Sequence, residues 1–282
     1  NVGRGGDPSA IARAFVMVHG TNRDADIYFR TSLAAAFLAG ALDNTIVILT
    51  GDHGESLMEH QIWFDHHGLY EPTIHVPLII KAPGQLPAGL RLPGYVAHQD
   101  MLPTILDLLG EHELAASLQM DGKSVVPLVR SERTDNHAEL YLTECTWMRK
   151  RGWRTREWKL IQAMEPDFHG FPPVELYHLP SDPHEKVNLA ESEPEVVAFL
   201  IDRMERWVAR RCAETGCTKI HFGVESANNE GLDVWGKHCD TDDCHRVFRW
   251  CREEGVRSVA YIMIGGPHEK TKDDRSEEHT SE

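Results

Sequence analysis

Seven side chains between residues 52 and 75 could act together on a ligand. Asp52 and Glu55 offer hard oxygen, and His53, His60, His66, His67 and His75 offer imidazole nitrogen. Carboxylate oxygen and imidazole nitrogen at close spacing are natural ligands for a divalent cation. The same residues also read as a polar turn after a core strand, with histidines held in water. Gly51 and Gly54 flank the Asp52-His53 pair. Glycine lets a chain turn sharply and approach a ligand closely.

The elements around the pair must place it. Thr45 to Thr50, TIVILT, is a short β-branched run stopped by Gly51. That pattern predicts a strand buried on both faces of a parallel sheet. Open α/β sheets bind ligands beyond the carboxyl ends of their strands, which is where Asp52 and His53 fall. Ala14 to His19 reads as a second buried strand, and Val76 to Lys81 as a third, closed by Pro83-Gly84. Asp24 to Leu42 has apolar residues near helical spacing and predicts a helix, with Asp43-Asn44 turning into the next strand. Asp100 is expected to cap a helix ending at Leu109, with Pro103 in its first turn and Gly110 at its end.

From Leu140 the pattern changes. Runs at 140–142, 152–155, 158–161 and 176–177 are short, half apolar and separated by turns, which predicts an antiparallel sheet. Cys145 to Arg149 is also read as a strand of that sheet. Ser192 with Glu195 has the spacing of a capping box before a helix ending near Arg211. Val197, Leu200, Met204 and Trp207 form that helix's apolar face.

Composition narrows the function. The chain has 282 residues, is 41% hydrophobic, and carries a formal net charge of −15. Such an acidic chain is not expected to bind nucleic acid, which is met by basic faces. A small anionic substrate remains open, because a bound cation can dominate the local field. No apolar run is long enough for a membrane span. No leader peptide is read at Asn1, and the compartment is left between cytoplasm and periplasm. Cys212, Cys217, Cys239, Cys244 and Cys251 crowd together after a solitary Cys145. Zinc held by Cys217, Cys239, Cys244 and His245 is conceivable, but the spacing is looser than most structural zinc sites. Reduced cysteines at packed positions are expected instead.

Asp52-His53-Gly54-Glu55, Gly68-Leu69-Tyr70-Glu71 and Val76 to Ile80 with Ala82-Pro83-Gly84 resemble the sulfatase family of the alkaline-phosphatase superfamily. The resemblance continues at 100–110, at Asp121-Gly122-Lys123-Ser124, and at Trp158-Lys159-Leu160-Ile161. It closes at Glu175-Leu176-Tyr177-His178-Leu179 and Asp182 to Ala190. It covers about residues 11 to 208 and implies an alkaline-phosphatase-like central mixed or parallel sheet with flanking helices, plus a small C-terminal antiparallel sheet.

The same resemblance implies metal-dependent hydrolysis of a sulfate ester, small-molecule or carbohydrate. Asp52 and His53 would be metal ligands. Calcium is the first expectation, with manganese, magnesium or zinc as alternatives. His66 falls where the family carries a sulfate-binding Lys. His67 falls where many members also have His, and His19 where a His contacts the sulfate or leaving group. The nucleophile implied is a formylglycine made from a Cys/Ser-x-Pro-x-Arg motif. The nearest match, Cys145-Thr146-Trp147-Met148-Arg149, has Trp in place of Pro and follows the metal pair, so it is rejected. The N-terminal half and its nucleophile are therefore expected to be missing, leaving a truncated and inactive chain.

A second resemblance starts near residue 212. Gly216 to Ser226, Gly236-Lys237 and Ser258 to Glu269 are similar to strands of radical SAM enzymes, with a helix capped by Thr241 and stopped by Gly255 between them. It implies a β-α-β fragment in which Glu225 would line a SAM pocket. The Cys motif for the iron-sulfur cluster is absent, and too few residues remain to close a barrel of about 200 or more. The tail Arg275 to Glu282 resembles a translated sequencing adapter, which makes the junction a candidate misjoin. The expected division is 1–135, 136–211, 212–274 and 275–282, with a radical SAM fragment as the alternative function.

Overall fold

The computed structural model describes residues 14–17, 40–237 and 239–263. His19, the body of the expected helix at 24–42 and the tail from Arg275 lie outside the described residues. The chain divides into two compact units, Asn1–Ser192 and Glu193–Glu282.

In the first unit, β1 (Ala14–Met17) pairs in parallel with β2 (Ile46–Thr50), which a short 3-10 turn at Ala41–Asn44 precedes. β2 pairs on its other side with β3 (Leu78–Lys81), and that pairing is antiparallel. The sheet is mixed, with β2 between its two described neighbours. Burial follows from this. Ile46 and Ile48 are buried while Val47 and Leu49 are half covered, so β2 is not sealed on both faces. The expected buried strand at 76–81 is corrected in the same way. It starts at Leu78 and alternates, leaving Ile79 59% exposed, as successive strand residues face opposite sides.

A single turn, α1 (Glu71–Ile74), lies between β2 and β3. Beyond β3, α2 (Met101–Leu109) packs with Ile46, Ile48, Ala82 and Val126 around Leu108. Gly110 ends α2 at φ 75°, as its position predicted. Asp100, however, makes no side-chain cap on α2. Its fully buried carboxylate accepts from the Ala97 and Lys123 amides and lies 2.9 Å from His137 Nε2. It ties three segments together instead. Short α3 (His112–Ser117) and α4 (Val126–Val129) follow.

β4 (Leu140–Glu144), β5 (Lys150–Arg154), β6 (Trp158–Ala163) and β7 (Val174–His178) form the expected antiparallel sheet in meander order. Cys145 to Arg149 is not a strand but the connection between β4 and β5. A second core joins Ile161, Tyr177 and Leu179 to Ile62, Leu69 and Tyr70.

In the second unit, α5 (Pro194–Glu214) begins one residue after Glu193, without a side-chain cap. Ser192 spends its hydroxyl on the Leu189 carbonyl, so the expected capping box does not form, and Pro194 opens the helix instead. β8 (Lys219–Glu225), α6 (Asn229–Val234), α7 (Thr241–Glu253) and β9 (Arg257–Ile262) follow. β8 and β9 pair in parallel. Asp240, not Thr241, caps α7, in a reciprocal box with Asp243.

Of the six cysteines only Cys251 is buried, so the expectation of packed positions holds for that one. The Cys244 thiol is pushed up to about 11 by burial and by its neighbour Cys239.

Candidate metal centre

Asp52 and His53 leave the carboxyl end of β2 immediately after Gly51. The Asp52 carboxylate accepts from the His53 amide at 3.0 Å, and its Oδ2 lies 3.8 Å from His53 Nε2. Both side chains are about two-fifths exposed, at 42% and 40%. His53 Nδ1 donates to the Gly54 carbonyl at 2.7 Å. Gly54 in turn donates its amide to the Thr73 carbonyl at 2.7 Å. A Cβ at Gly54 would stand 1.9 Å from the Pro72 carbonyl oxygen, so only glycine allows this approach.

The chain then makes an excursion that is closed at its base. The Ser56 amide donates to the Asp65 carbonyl at 2.9 Å. That closure returns His66 to His53, and their rings stack at 4.1 Å with 21° between planes. Donor atoms of His53, Glu55 and His66 all lie within 4.8 Å of one another. Among the described residues this is the one group of three or more such donors.

His67, adjacent in sequence, goes elsewhere. It is buried, its Nε2 lies 2.6 Å from His169 Nε2, and the two rings stack at 4.9 Å. Asp65 links the two neighbours, with its Oδ1 3.4 Å from Nδ1 of both His66 and His67. Burial pushes the Asp65 carboxyl up, but the His66 amide and the two imidazoles outweigh it and leave it below its ordinary value.

The remaining histidines of the stretch have structural partners. His60 stacks on Tyr70 at 3.7 Å, and burial, helped by the Lys159 charge, pulls it down to about 4. His75 sits 3.3 Å from Glu71, whose hydrogen bond holds its pKa up.

What fixes the loop from 66 to 71 is a buried charged cluster. Lys159 Nζ, fully buried, donates to the Leu69 carbonyl at 3.0 Å and forms ion pairs with Glu71 at 2.9 Å and with Glu185 at 2.5 Å. Glu185 also accepts from the Glu71 amide at 2.7 Å, and Arg154 Nε pairs with Glu71 at 2.9 Å. Burial alone would raise Glu71; His75, Lys159 and Arg154 instead hold it far below the usual carboxylate range. For Glu185 burial wins, and its carboxyl lies above the ordinary value. Tyr70 and Tyr177 both donate to Glu175.

Glu225 lies in the second unit at the end of β8, with φ 71° and Lys237 Nζ 3.5 Å away. Asp65 and His169 were not singled out from the sequence. Asp65 directly precedes the His pair and could have been. His169 lies 102 residues from His67, and no local pattern marks it.

Two imidazoles and nearby carboxylates at a strand end fit a divalent cation. Asp52 and His53 could hold it, with Glu55 and His66 in reach.

The family described as N-sulphoglucosamine sulphohydrolase, C-terminal, matches residues 58–210. Human arylsulfatase K is 32% identical over 205 residues, covering 69% of this chain and 35% of that protein. A choline-sulfatase of Rhizobium meliloti is 34% identical over 153 residues, covering 54% and 28%. N-acetylglucosamine-6-O-sulfatase of Bacteroides thetaiotaomicron is 30% identical over 183 residues, covering 60% and 31%.

Among solved structures, an enzyme in complex with its substrate D-glucosamine-2-N,6-O-disulfate aligns with a TM-score of 0.54 at 28% identity. The alignment covers 64% of this chain and 37% of that one. A 2-O glycosaminoglycan sulfatase shares the fold at a TM-score of 0.52 and 24% identity, covering 63% and 39%. The chain spans about a third of the length of the curated relatives it matches.

Proposed function

The chain belongs to the sulfatase family, and from that premise we propose that it is the C-terminal part of a metal-dependent hydrolase of carbohydrate sulfate esters. The observation that carries this reading is the His66 ring stacked on His53 beyond the carboxyl end of β2, beside Asp52. A divalent cation held by Asp52 and His53 would neutralise charge on the sulfate oxygens. His66 stands where the family places a sulfate-binding Lys, and in its imidazolium form the ring can donate a hydrogen bond to a sulfate oxygen. The Asp65 carboxylate lies 3.4 Å from the ring's Nδ1, and the Lys159 cluster holds the backbone behind it. Sulfated sugars are the proposed substrate class because two of the similar proteins act on or bind sulfated glucosamines.

No Cys/Ser-x-Pro-x-Arg motif occurs in the 282 residues. A covalent nucleophile divides one difficult displacement into two easier ones. The isolated chain is therefore expected to hydrolyse nitrophenyl sulfate and sulfated glucosamine only at background. Joined to an upstream half that carries the matured motif, it is expected to turn over, and Asp52→Ala is expected to abolish that activity. Unchanged turnover in Asp52→Ala would refute the reading.

A further inference from the structure

We propose that His53, Glu55 and His66 form a binding site for a zinc-class divalent cation that does not use Asp52. This goes beyond the sulfate-ester reading and is independent of turnover. The three donors already converge within 4.8 Å. Zinc bonds of about 2.0–2.1 Å place neighbouring donors roughly 3.3 Å apart, a difference that rotation of the exposed His53 and His66 rings towards half-buried Glu55 closes.

The tautomers agree with this use. A carbonyl oxygen only accepts, so the 2.7 Å contact from His53 Nδ1 to Gly54 puts the proton on Nδ1 and the lone pair on Nε2. The Asp65 carboxylate lies 3.4 Å from His66 Nδ1 without a hydrogen bond between them, and its charge favours a proton on that nitrogen. Metal-binding histidines are ordinarily oriented by such partners on the other nitrogen. Here His53 has such a partner and His66 has a carboxylate beside its Nδ1, on a scaffold fixed by Gly54 and by the Ser56–Asp65 closure.

The donor set selects the ion. Two imidazoles and one carboxylate make a three-ligand set with an open fourth position, the composition of many hydrolytic zinc sites. Calcium takes six to eight oxygens, which this group does not supply. His53 and His66 are half open to solvent, so water or an anion can reach the fourth position. His53 is shared with the Asp52 pair, so the two modes of binding exclude each other. An ion held here also takes His66 away from a sulfate oxygen.

The test is spectroscopic and uses the whole 282-residue chain. Titration with cobalt(II) is expected to give visible d–d absorption saturating at one equivalent. Zinc should bleach it stoichiometrically, and excess calcium should not. His66→Ala and Glu55→Gln are each expected to weaken cobalt binding by at least the roughly 10–100-fold seen when only a ligand's outer partner is lost. Asp52→Asn removes the competing mode and is expected to keep the saturating, zinc-displaceable spectrum, and circular dichroism checks that each variant folds. Cobalt binding that survives His66→Ala, or that falls equally in Asp52→Asn, overturns the proposal. Neither result touches the sulfatase reading, which stands or falls on Asp52→Ala in the restored enzyme.

Discussion

Lys159 has no exposed surface and holds Glu71, Glu185 and the Leu69 carbonyl at once. Taking one partner from a buried ion cluster leaves the others charged and uncompensated, at a cost of about 3–5 kcal/mol. Lys159→Met should lose that much in urea unfolding. His60 gives the pH dependence. Its folded pKa, about 4, lies below the ordinary 6.5, so the unfolded chain takes up the proton first. Stability therefore falls as pH drops from 6.5 towards 4, by at most about 1.4 kcal/mol per pH unit. His75, shifted upwards, loses its contribution only as pH rises above 6.5, and Glu71, shifted downwards, enters only below 4.5. Glu185, shifted upwards, acts in the opposite sense just above pH 4.5, so the His60 effect is read as a difference: His60→Phe should lose less of its urea midpoint than the parent between pH 6.5 and 4.5. The juxtaposition of Asp52, His53 and His66 was legible because strand, turn and donors are local. The roles of Lys159 and Glu185 were not, since their contacts cross 90 and 114 residues.

At the scale of elements, the constraint that bears on the candidate site is Gly54 under Pro72. Overpacking of a fitted site costs typically about 1–3 kcal/mol, occasionally more. Gly54→Ala pushes a methyl into a backbone carbonyl that cannot step aside. It should reach the top of that range in thermal unfolding and should weaken cobalt binding, because the His53 carbonyl clasp shifts with it. Strands were legible from alternation and β-branched runs to within a few residues, except at Cys145 to Arg149, which is a connection. Helix starts were less so. Asp100, Ser192 and Thr241 each look like caps, yet their side chains do other work or stand one place off. Short polar side chains have many nearby backbone partners, and spacing alone does not choose among them.

The whole molecule comprises two compact units with a long helix opening the second. Family similarity reaches residue 210, so it runs into that helix. Differential scanning calorimetry should resolve two transitions. Zinc should raise only the one belonging to residues 1–192, since a ligand stabilises by RT ln(1 + [L]/Kd) only the unit that binds it. A single transition, or zinc shifting both, would contradict this. The sulfatase character was legible from motifs spread over 11–208. The exposed Trp63, Phe64 and Ile79 were not foreseen, because burial depends on what covers a strand or loop.

The Lys159 cluster also sets an order of events during synthesis. Glu71 must wait for a lysine 88 residues later in the chain, and its amide waits for a glutamate 114 residues later. A ribosome that has just released His53, Glu55 and His66 has therefore released donors without their support. Until the segment through Glu185 has cleared the exit tunnel, the His66 loop lacks the anchor that fixes it. On the proposed metal reading, capture would be a late step in the life of the nascent chain, timed by the arrival of the antiparallel sheet rather than by the donors themselves.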